Sequence, residues 1–581
     1  MPVPDSISRL RIRGWFRSVV FYELAVRSFF DSNADGIGDL PGVTSKLDYL
    51  RDLGVGAIWL LPFYPSPWRD DGYDIADHYS IDRRFGTIED LRALLRAAHN
   101  REIRVVGDLV TNHVSDQHPW FQEARADRDS PRRSWFLWSD SGREFSRARI
   151  IFPDFERSNW TWDDVAGQYY FHRFFSFQPD LNYDEPAVRA EMLRVADFWL
   201  SQGLDGFRCD AVPYLFKREG TRNQSLPEVH EFFRELRAMM DARFPGTVLV
   251  AEANQSVPET VAYFGGGQEF QMVMHFPLMP NLYLALAEGR PRRILDGIRA
   301  TLGGVPADCG WAYFLRNHDE VTLEQVSDEE RTLFRREYAQ AEGSILNGGV
   351  RRRLAPLLDG DDASVLLLNA LILALPGAPF LYYGDEIGMG DRLDLPDREG
   401  VRTPMQWDSG PNGGFSTAPA SQLTRPLVED PRFGPAVRNV VQEERNPSSL
   451  LRRMQHLAGV RNQHASIFAS DRFSPVDLGG SPVLAFWRSA GPHHILCLFN
   501  FAREEASGTV GLPPTVGPHP TQLTHEGSSV EVGPGQVRFR LERRAFQWVR
   551  FPAIPQQPQP GAPGAVVNAP GGAGPASPAT R

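Results

Sequence analysis

Short apolar runs that alternate with amphipathic segments constrain the fold of this chain more than any other feature of its sequence. The runs are rich in β-branched and aromatic residues, which suits parallel strands that are buried on both faces. Between the second and third runs, residues 87–99 carry apolar side chains at helical spacing, and the alternation resumes from residue 206. This pattern predicts an α/β fold in which eight parallel strands close into a (β/α)8 TIM barrel. The predicted strands are residues 18–24, 57–61, 103–109, 206–209, 248–251, 270–275, 311–315 and 379–383.

Two interruptions and a change of period divide the chain further. Residues 114–184 are rich in Trp, Phe, Tyr, Asp and Arg without a clear period, which predicts an inserted domain after the third strand, since ordinary loops are shorter. A second, lid-like insertion is predicted at about residues 317–361. After residue 470 the apolar period becomes two, which is typical of an all-β domain. The barrel is therefore predicted from residues 1–113 and 185–469, and a C-terminal β-sandwich domain from residues 470–552.

The last segment, residues 553–581, is made almost entirely of Pro, Gly, Ala and Gln. Such a composition cannot bury enough apolar surface to offset the entropy lost on ordering. We therefore predict that this Pro/Gly/Ala-rich tail is disordered.

Charge and cysteine content exclude several classes of protein. The formal net charge of −11 argues against nucleic acid or an anionic membrane surface as a partner. No run of about 18 apolar residues is present, and residues 1–16 lack the apolar core of a signal peptide. Cys209, Cys309 and Cys497 are far apart, so neither a disulfide framework nor a zinc site is predicted. We expect a cytoplasmic protein without a membrane span. Whether it forms a homo-oligomer stays open.

Acidic residues follow several predicted strands at the end where a barrel of this type carries its active site. Asp210 follows the fourth strand, Glu252 the fifth and Asp319 the seventh. Glycoside chemistry needs such convergence, because one carboxylate attacks the sugar carbon and one carboxylic acid protonates the leaving oxygen. Solvated loop carboxylates are the plain alternative, but Arg208 and two histidines stand at the same strand ends. The sequence therefore predicts a glycoside-processing site with the catalytic residues Asp210, Glu252 and Asp319.

The motifs at these strand ends resemble glycoside hydrolase family 13, the α-amylase superfamily, over nearly all of residues 15–552. Each motif alone is weak, but together they follow the order of the family. They are Asn112-His113, Gly206-Phe-Arg-Cys-Asp210, Val250-Ala-Glu252 and Asn317-His-Asp319.

Further stretches resemble the family members that isomerise maltose to trehalose. They include Gly72-Tyr-Asp-Ile, Ser115-Asp-Gln-His-Pro-Trp-Phe, Gln178-Pro-Asp-Leu-Asn-Tyr and Gly400-Val-Arg-Thr-Pro-Met-Gln-Trp. The resemblance implies an intramolecular transglucosidase that acts on maltose and trehalose through a covalent glucosyl-enzyme with retention, and with minor hydrolysis to glucose. Cys209 and Phe177 stand where the family usually has Leu and His.

The resemblance also implies a role for each site residue. Asp210 would be the nucleophile, Glu252 the general acid/base and Asp319 the stabiliser of the transition state. Some of the surrounding residues would bond the glucose hydroxyls, Tyr73 would stack on the glucose ring, and Arg208 would keep Asp210 ionised by lowering its pKa. The expected substrate-binding residues are Tyr73, Asp74, His113, Gln178, Arg208, His318 and Arg398.

Two metal sites are predicted, for Ca2+ or Mg2+, and no organic cofactor. In the first, oxygen ligands alternate along the chain with Gly at a tight turn, although Gly42 stands at position twelve, where an EF-hand has Glu. The resemblance implies that the ligands are Asp31, Asn33, Asp35, the Ile37 carbonyl and Asp39. A second calcium site would use Asn112, Asp180 and the carbonyls of Tyr214 and Leu215. Lys217 stands where the family supplies a Glu ligand, which should weaken that second site.

Two other functions stay open beside the isomerase. A hydrolytic α-glucosidase or α-amylase would share the same three carboxylates and differ only in letting water attack the glucosyl-enzyme. A non-catalytic carbohydrate-binding barrel protein is the alternative from another class, and the intact carboxylates argue against it. An isomerase must exclude bulk water, so we expect the two insertions to form a lid that Arg398 gates through carboxylates of the first insertion.

Overall fold

A closed barrel of eight parallel strands forms the centre of the computed structural model, which describes residues 14–524 and 526–552. The predicted TIM-barrel fold is confirmed, whereas the predicted disordered tail at 553–581 lies outside the described residues. In chain order, and numbered one to eight below, the strands are Phe21–Leu24, Ala57–Leu60, Arg104–Val110, Gly206–Asp210, Val248–Ala251, Met272–Met274, Gly310–Phe314 and Gly377–Tyr382.

The barrel closes where its first strand pairs in parallel with its eighth. Phe21 stands opposite Phe380, and their rings stack with centroids 4.3 Å apart. Every residue of these strands is buried, because the barrel interior covers one face and helices cover the other. That burial explains why the strands read as continuous apolar runs in the sequence.

Helices surround the barrel. Ile88–His99 begins at Thr87, whose side chain forms a capping box with Asp90, and its apolar residues face the barrel core. Asp362–Ala374 is buried on all sides from Ser364 onward, between the barrel and the C-terminal sheet. The α-helices are Val26–Phe29, Leu40–Ser45, Leu47–Leu53, Ile88–His99, Pro119–Ala126, Pro186–Gln202, Pro227–Arg243, Val257–Ala262, Met279–Glu288, Arg292–Leu302, Asp328–Tyr338, Leu354–Leu357, Asp362–Ala374, Val440–Arg445, Leu450–Gln463 and Ala465–Phe468.

Two segments leave the barrel at the carboxyl ends of its strands. After strand three, Trp138–Ser139, Gln168–Phe171 and Trp160–Asp163 form a three-stranded antiparallel sheet. After strand seven come the helix Asp328–Tyr338 and a small hairpin, Ile345–Leu346 with Gly349–Val350. Both segments therefore start at the barrel end that carries the predicted site.

An antiparallel sheet follows the barrel. Its long last strand pairs through its first half with Ala506–Gly511 and through its second half with His493–Asn500, so it folds over a core of its own. The strands are Phe473–Val476, Val483–Ala490, His493–Asn500, Ala506–Gly511, Thr521–Gln522, Glu526–Gly533 and Gln536–Phe551.

Two fully buried arginines, one on helix Leu450–Gln463 and one on the sheet, donate to carbonyl oxygens where helix Asp362–Ala374 leads into strand eight. Arg461 donates to the carbonyls of Gly377, at 2.7 Å, and of Leu373. Arg488, on the second strand of the sheet, donates to the carbonyls of Ala374 and Phe468, each at 2.8 Å. The guanidinium groups thus close the end of helix Asp362–Ala374, whose last carbonyls have no partner within the helix.

The described residues contain no helix that is both long and apolar enough to cross a bilayer. Cys209, Cys309 and Cys497 are separate buried thiols. Cys209 lies in strand four, fully buried in the main hydrophobic core, where it fills space as a small apolar side chain.

Candidate active site

The three predicted catalytic carboxylates face one cavity at the carboxyl ends of the strands. Asp210 is the last residue of strand four, Glu252 directly follows strand five, and Asp319 lies in the loop after strand seven. The cavity has a volume of about 560 Å³, within the range of small-molecule sites. Its wall also includes both inserted segments, through residues such as Phe152 and Glu324.

A single guanidinium lies behind two of these carboxylates. Arg208 is fully buried, and its Nη1 donates to Asp210 at 2.7 Å and to Asp108 at 2.8 Å. Its Nη2 lies 2.5 Å from Oε1 of Glu252, whose other oxygen accepts the N–H of Ala211. Arg208 is not among the residues that line the cavity and holds the two carboxylates side by side, while its contact with the substrate stays a prediction.

Burial has the largest effect on the pKa values of Asp210 and Glu252. It raises the pKa of Asp210 to about 6, even though Arg208 acts in the opposite direction. Arg208 thus lowers the pKa of Asp210, as expected, but the loss of hydration outweighs the ion pair and the net shift is upward. Burial also raises the pKa of Glu252 to about 8 against the same guanidinium. Near neutral pH, Asp210 is then ionised and Glu252 protonated, which are the states that a nucleophile and a general acid require.

Asp319 stands in a cluster of cationic and polar groups. Burial opposes its ionisation, but His318, Arg398 and Arg402 hold the pKa of Asp319 below its ordinary value. Arg402 lies 2.8 Å and Arg398 3.0 Å from Oδ1 of Asp319, and Nε2 of His318 lies 3.3 Å from Oδ2. Asp319 therefore stays charged throughout the working pH range and can stabilise positive charge on the sugar. The sequence did not identify Arg402 as a site residue, although it lies in the stretch Gly400-Val-Arg-Thr that carries the resemblance.

Four of the predicted substrate-binding residues line the cavity: Tyr73, His113, His318 and Arg398. The Tyr73 ring lies parallel to that of His318, 5.2 Å between centroids, and its hydroxyl donates to Asp108. Nε2 of His113 is buried and has no hydrogen-bond partner among the described residues. Burial lowers the pKa of His113 to about 4, so this neutral ring can bond a hydroxyl group of the substrate.

Asp74 does not reach the cavity, and its prediction as a sugar contact is corrected. It is fully buried and accepts hydrogen bonds from the Ser66 hydroxyl and from the backbone N–H groups of Arg69 and Asp70. Its carboxylate thus closes the turn on which Tyr73 stands. Asp70 lines the cavity instead.

Gln178 and Arg398 both act on Asp70. Gln178 is fully buried behind the cavity wall and donates to Oδ2 of Asp70 at 2.8 Å, so its predicted place in the pocket is corrected to a supporting one. Arg398 lines the cavity, as its predicted role requires, and lies 2.6 Å from Oδ1 of Asp70. The predicted gate through carboxylates of the first insertion is wrong: among the described residues the ion pairs of Arg398 run to Asp70, Asp319 and Asp397, and it meets that insertion over the rings of Phe152 and Phe175.

The two inserted segments are joined across the cavity by other residues. Nη1 of Arg149 lies 2.9 Å from Oε1 of Glu324, and Nδ2 of Asn254 donates to Oε2 of the same carboxylate at 3.1 Å. A second link runs from the backbone N–H of Asn347 to Asp154, at 2.7 Å. We call these contacts the mouth bridge. The sequence predicts both inserted segments, but no pattern in the sequence predicts which of their residues contact each other.

The first predicted metal loop forms successive turns. Oδ1 of Asp31 accepts the N–H groups of Asn33 and Ala34, and the side chains of Asn33 and Asp35 each accept the N–H two residues further on. Asp39 caps helix Leu40–Ser45. Across residues 14–524 and 526–552, no three His, Cys, Asp or Glu side chains are grouped as a metal site. The donor set nevertheless consists of oxygen atoms only, which suits a hard cation.

The second predicted metal site does not fit a metal ion. The ammonium group of Lys217 lies among its predicted ligands, 2.6 Å from Oδ2 of Asp180. It is also within 3.4 Å of the Asn112 side-chain oxygen and 3.5 Å of the Leu215 carbonyl. The prediction of calcium at Asn112, Asp180, Tyr214 and Leu215 is therefore corrected, because a cationic side chain fills the place.

Comparison with known proteins agrees with this geometry. The family model described as alpha amylase, catalytic domain, matches residues 24–470. A protein of Mycobacterium tuberculosis named trehalose synthase/amylase is 48% identical over 92% of this chain and 90% of its own. A trehalose synthase of Pimelobacter is 46% identical over 92% and 96% of the two chains. The crystal structure of a trehalulose synthase from Pseudomonas mesoacidophila superposes with a TM-score of 0.73 at 26% identity, over 93% of this chain and 99% of the other. With this match and these carboxylates at its strand ends, the chain belongs to the α-amylase family, glycoside hydrolase family 13.

Proposed function

We propose that the protein isomerises maltose to trehalose by intramolecular transfer of a glucosyl group with retention, and releases some glucose by hydrolysis. The relatives named above support the choice of substrate. The observation that carries the proposal is the cavity, which holds the three carboxylates and is bridged at its mouth by the two inserted segments.

In the first step, the ionised carboxylate of Asp210 attacks the anomeric carbon of the non-reducing glucose. A bond forms between this carbon and the carboxylate oxygen while the bond to the leaving oxygen breaks, and Glu252 gives its proton to that oxygen. Asp319 faces the same space and offsets the positive charge that develops on the sugar ring.

In the second step, the released glucose attacks the glucosyl-enzyme through its anomeric hydroxyl instead of its 4-hydroxyl. Glu252, now a carboxylate, takes the proton of that hydroxyl, and Asp210 leaves. Two inversions at the same carbon give net retention, and the product is trehalose. Water that enters first gives glucose instead, so the yield of trehalose depends on how well the cavity excludes water.

Product analysis tests the proposal directly. With maltose as substrate, we expect trehalose as the main product and glucose as a minor one, and labelled free glucose should enter the trehalose poorly. Chromatography of the sugars measures both. Glucose as the dominant product would contradict the isomerase and favour the alternative, a hydrolytic α-glucosidase or amylase. The name of the Mycobacterium relative, which includes the word amylase, is consistent with that alternative.

The mouth bridge offers a second test. Glu324→Gln removes the charge that pairs with Arg149 but keeps a group of the same size. Both side chains are partly exposed, so we expect a loss of only about 0.5–1 kcal/mol and a two- to five-fold rise in the ratio of glucose to trehalose. Asp296→Asn removes the charge of an exposed pair with Arg292, neither of which lines the cavity, and serves as control. An unchanged ratio of glucose to trehalose in Glu324→Gln would show that the mouth bridge does not help to exclude water.

We also propose that the loop from Asp31 to Asp39 binds Ca2+ or Mg2+ as a structural ion, with the Ile37 carbonyl among its ligands. A metal bound only by the folded state raises its stability by mass action. Chelation should therefore lower the melting temperature more than it lowers the intrinsic rate, and Asp35→Ala should abolish that response in differential scanning fluorimetry. If the variant responds to the chelator as the parent does, the loop is not the site.

Cytoplasmic location stays a prediction of the sequence, and the oligomeric state stays open.

A further inference from the structure

Lys217 occupies the centre of a group of oxygen atoms that would otherwise suit a metal ion. Its ammonium nitrogen is 2.6 Å from Oδ2 of Asp180, 3.4 Å from Oδ1 of Asn112 and 3.5 Å from the Leu215 carbonyl. The first of these distances equals the upper end of ordinary calcium–oxygen distances, about 2.3–2.6 Å. A calcium ion and this nitrogen cannot occupy the same place.

The charges at this point are balanced without an added ion. Asp180 and Asn112 are fully buried, and Lys217 is 5% exposed. Oδ1 of Asp180 accepts the backbone N–H of Arg173, which leaves Oδ2 for the ammonium group. One buried carboxylate thus meets one buried cation, and a buried charge needs such a partner.

This cation joins three separate segments of the chain that lie behind the cavity lining. Asn112 follows strand three, Leu215 follows strand four, and Asp180 lies where the first inserted segment returns to the barrel. The backbone of Asp180 bridges to that of His113, whose side chain lines the cavity. Any group that holds Asp180 in place therefore also holds one side of the substrate space.

We propose that Lys217 replaces the metal ion at this point: its tethered ammonium group supplies the positive charge that binds the inserted segment to the barrel. The replacement is part of the chain, so no chelator and no fall in calcium concentration can remove it. The inference concerns the assembly of the cavity wall and does not depend on which α-glucoside is converted.

Calcium dependence of stability tests the proposal, in an Asp35→Ala background that removes any response of the loop at residues 31–39. In this background the native Lys217 should give the same melting temperature in EDTA and in excess CaCl2. Lys217→Glu should restore an anionic ligand in place of the cation. It should melt several degrees lower in EDTA, recover on addition of CaCl2, and bind one further Ca2+ per chain in isothermal titration calorimetry.

Lys217→Met is the matched control, because it removes the cation without adding a ligand. It should be less stable than the Asp35→Ala parent in both buffers and insensitive to CaCl2, since Asp180 is left buried without its partner. A Lys217→Glu variant that folds but neither binds nor responds to Ca2+ would overturn the proposal. So would calcium binding by the Asp35→Ala protein that Asp180→Asn abolishes, and this measurement decides the matter even if Lys217→Glu does not fold.

Discussion

Asp210→Asn is expected to lower kcat on maltose by on the order of 10⁴-fold or more while the protein stays folded. The amide has the same shape but cannot form the glucosyl-enzyme. Arg208 keeps its contacts with Asp108 and Glu252, so the cavity should keep its form. Steady-state kinetics measure the loss, and circular dichroism with a thermal melt shows that the fold is retained.

Rescue by a small anion distinguishes loss of the nucleophile from general damage to the site. Asp210→Ala leaves room on the face of the sugar that the carboxylate attacks. Azide that enters there should displace the leaving group once, and the product should be the β-glucosyl azide. Near-normal kcat in Asp210→Asn, or an α-glucosyl azide from Asp210→Ala, would show that another residue is the nucleophile.

Glu252→Gln is expected to lower kcat on maltose by about 10²–10⁴-fold, since the leaving oxygen is no longer protonated. A substrate with an activated leaving group, such as an aryl α-glucoside, needs no acid in the first step. It should therefore give a rapid burst of released aryl alcohol, followed by slow turnover, because the second step lacks its general base. Stopped-flow absorbance measures the burst, and its absence would contradict the role of Glu252.

The pH dependence separates the two carboxyl groups. Below a pKa of about 6, Asp210 is protonated and cannot attack, and above a pKa of about 8, Glu252 has lost the proton that it must give. The parent should thus be most active between about pH 6 and 8. In Glu252→Gln the alkaline fall should disappear for the burst step, whereas Glu320→Gln, which alters a neighbouring cavity carboxyl group, should keep it.

The positions of the barrel strands could be predicted closely, because strands that are buried on both faces are continuous apolar runs in the sequence. The errors lie at the strand ends, where apolar residues serve other purposes. Residues 270–275 were predicted as a strand, but the strand itself is Met272–Met274, with one further backbone hydrogen bond to strand seven on each side, at Gln271 and His275. Phe270 bonds instead to the Tyr263 carbonyl, and the His275 ring accepts the N–H of Leu278 where the next helix begins.

The sugar contacts were harder to predict, because three aspartates stand within five residues at 70–74. Asp71 has a left-handed backbone with φ of 53° and meets three arginines, among them Arg402. Asp74 turns back onto the backbone of the same segment, so Asp70 alone of the three faces the cavity. The turn geometry decides among them, and nothing in the spacing of the residues reveals it.

The contacts of Arg398, Arg402 and Lys217 also escaped prediction. Each joins parts of the chain that are far apart in sequence, such as Arg398 with Asp70. The sequence shows that Lys217 departs from the family, which has Glu at this position. The change from a negative to a positive charge predicted a weakened metal site. That its ammonium group reaches the same oxygen atoms depends on the length and path of the side chain, which only the structure describes.

Arg488 makes the C-terminal sheet a part of the catalytic unit. A barrel cut free of this sheet would lose the donor to the Ala374 carbonyl and expose the apolar flank of helix Asp362–Ala374, which precedes the eighth strand. Each lost bond to a buried carbonyl costs about 1–3 kcal/mol, a large share of the net stability of a domain. The two regions should therefore unfold as one cooperative block, and the sheet is not a module that can be exchanged freely between relatives.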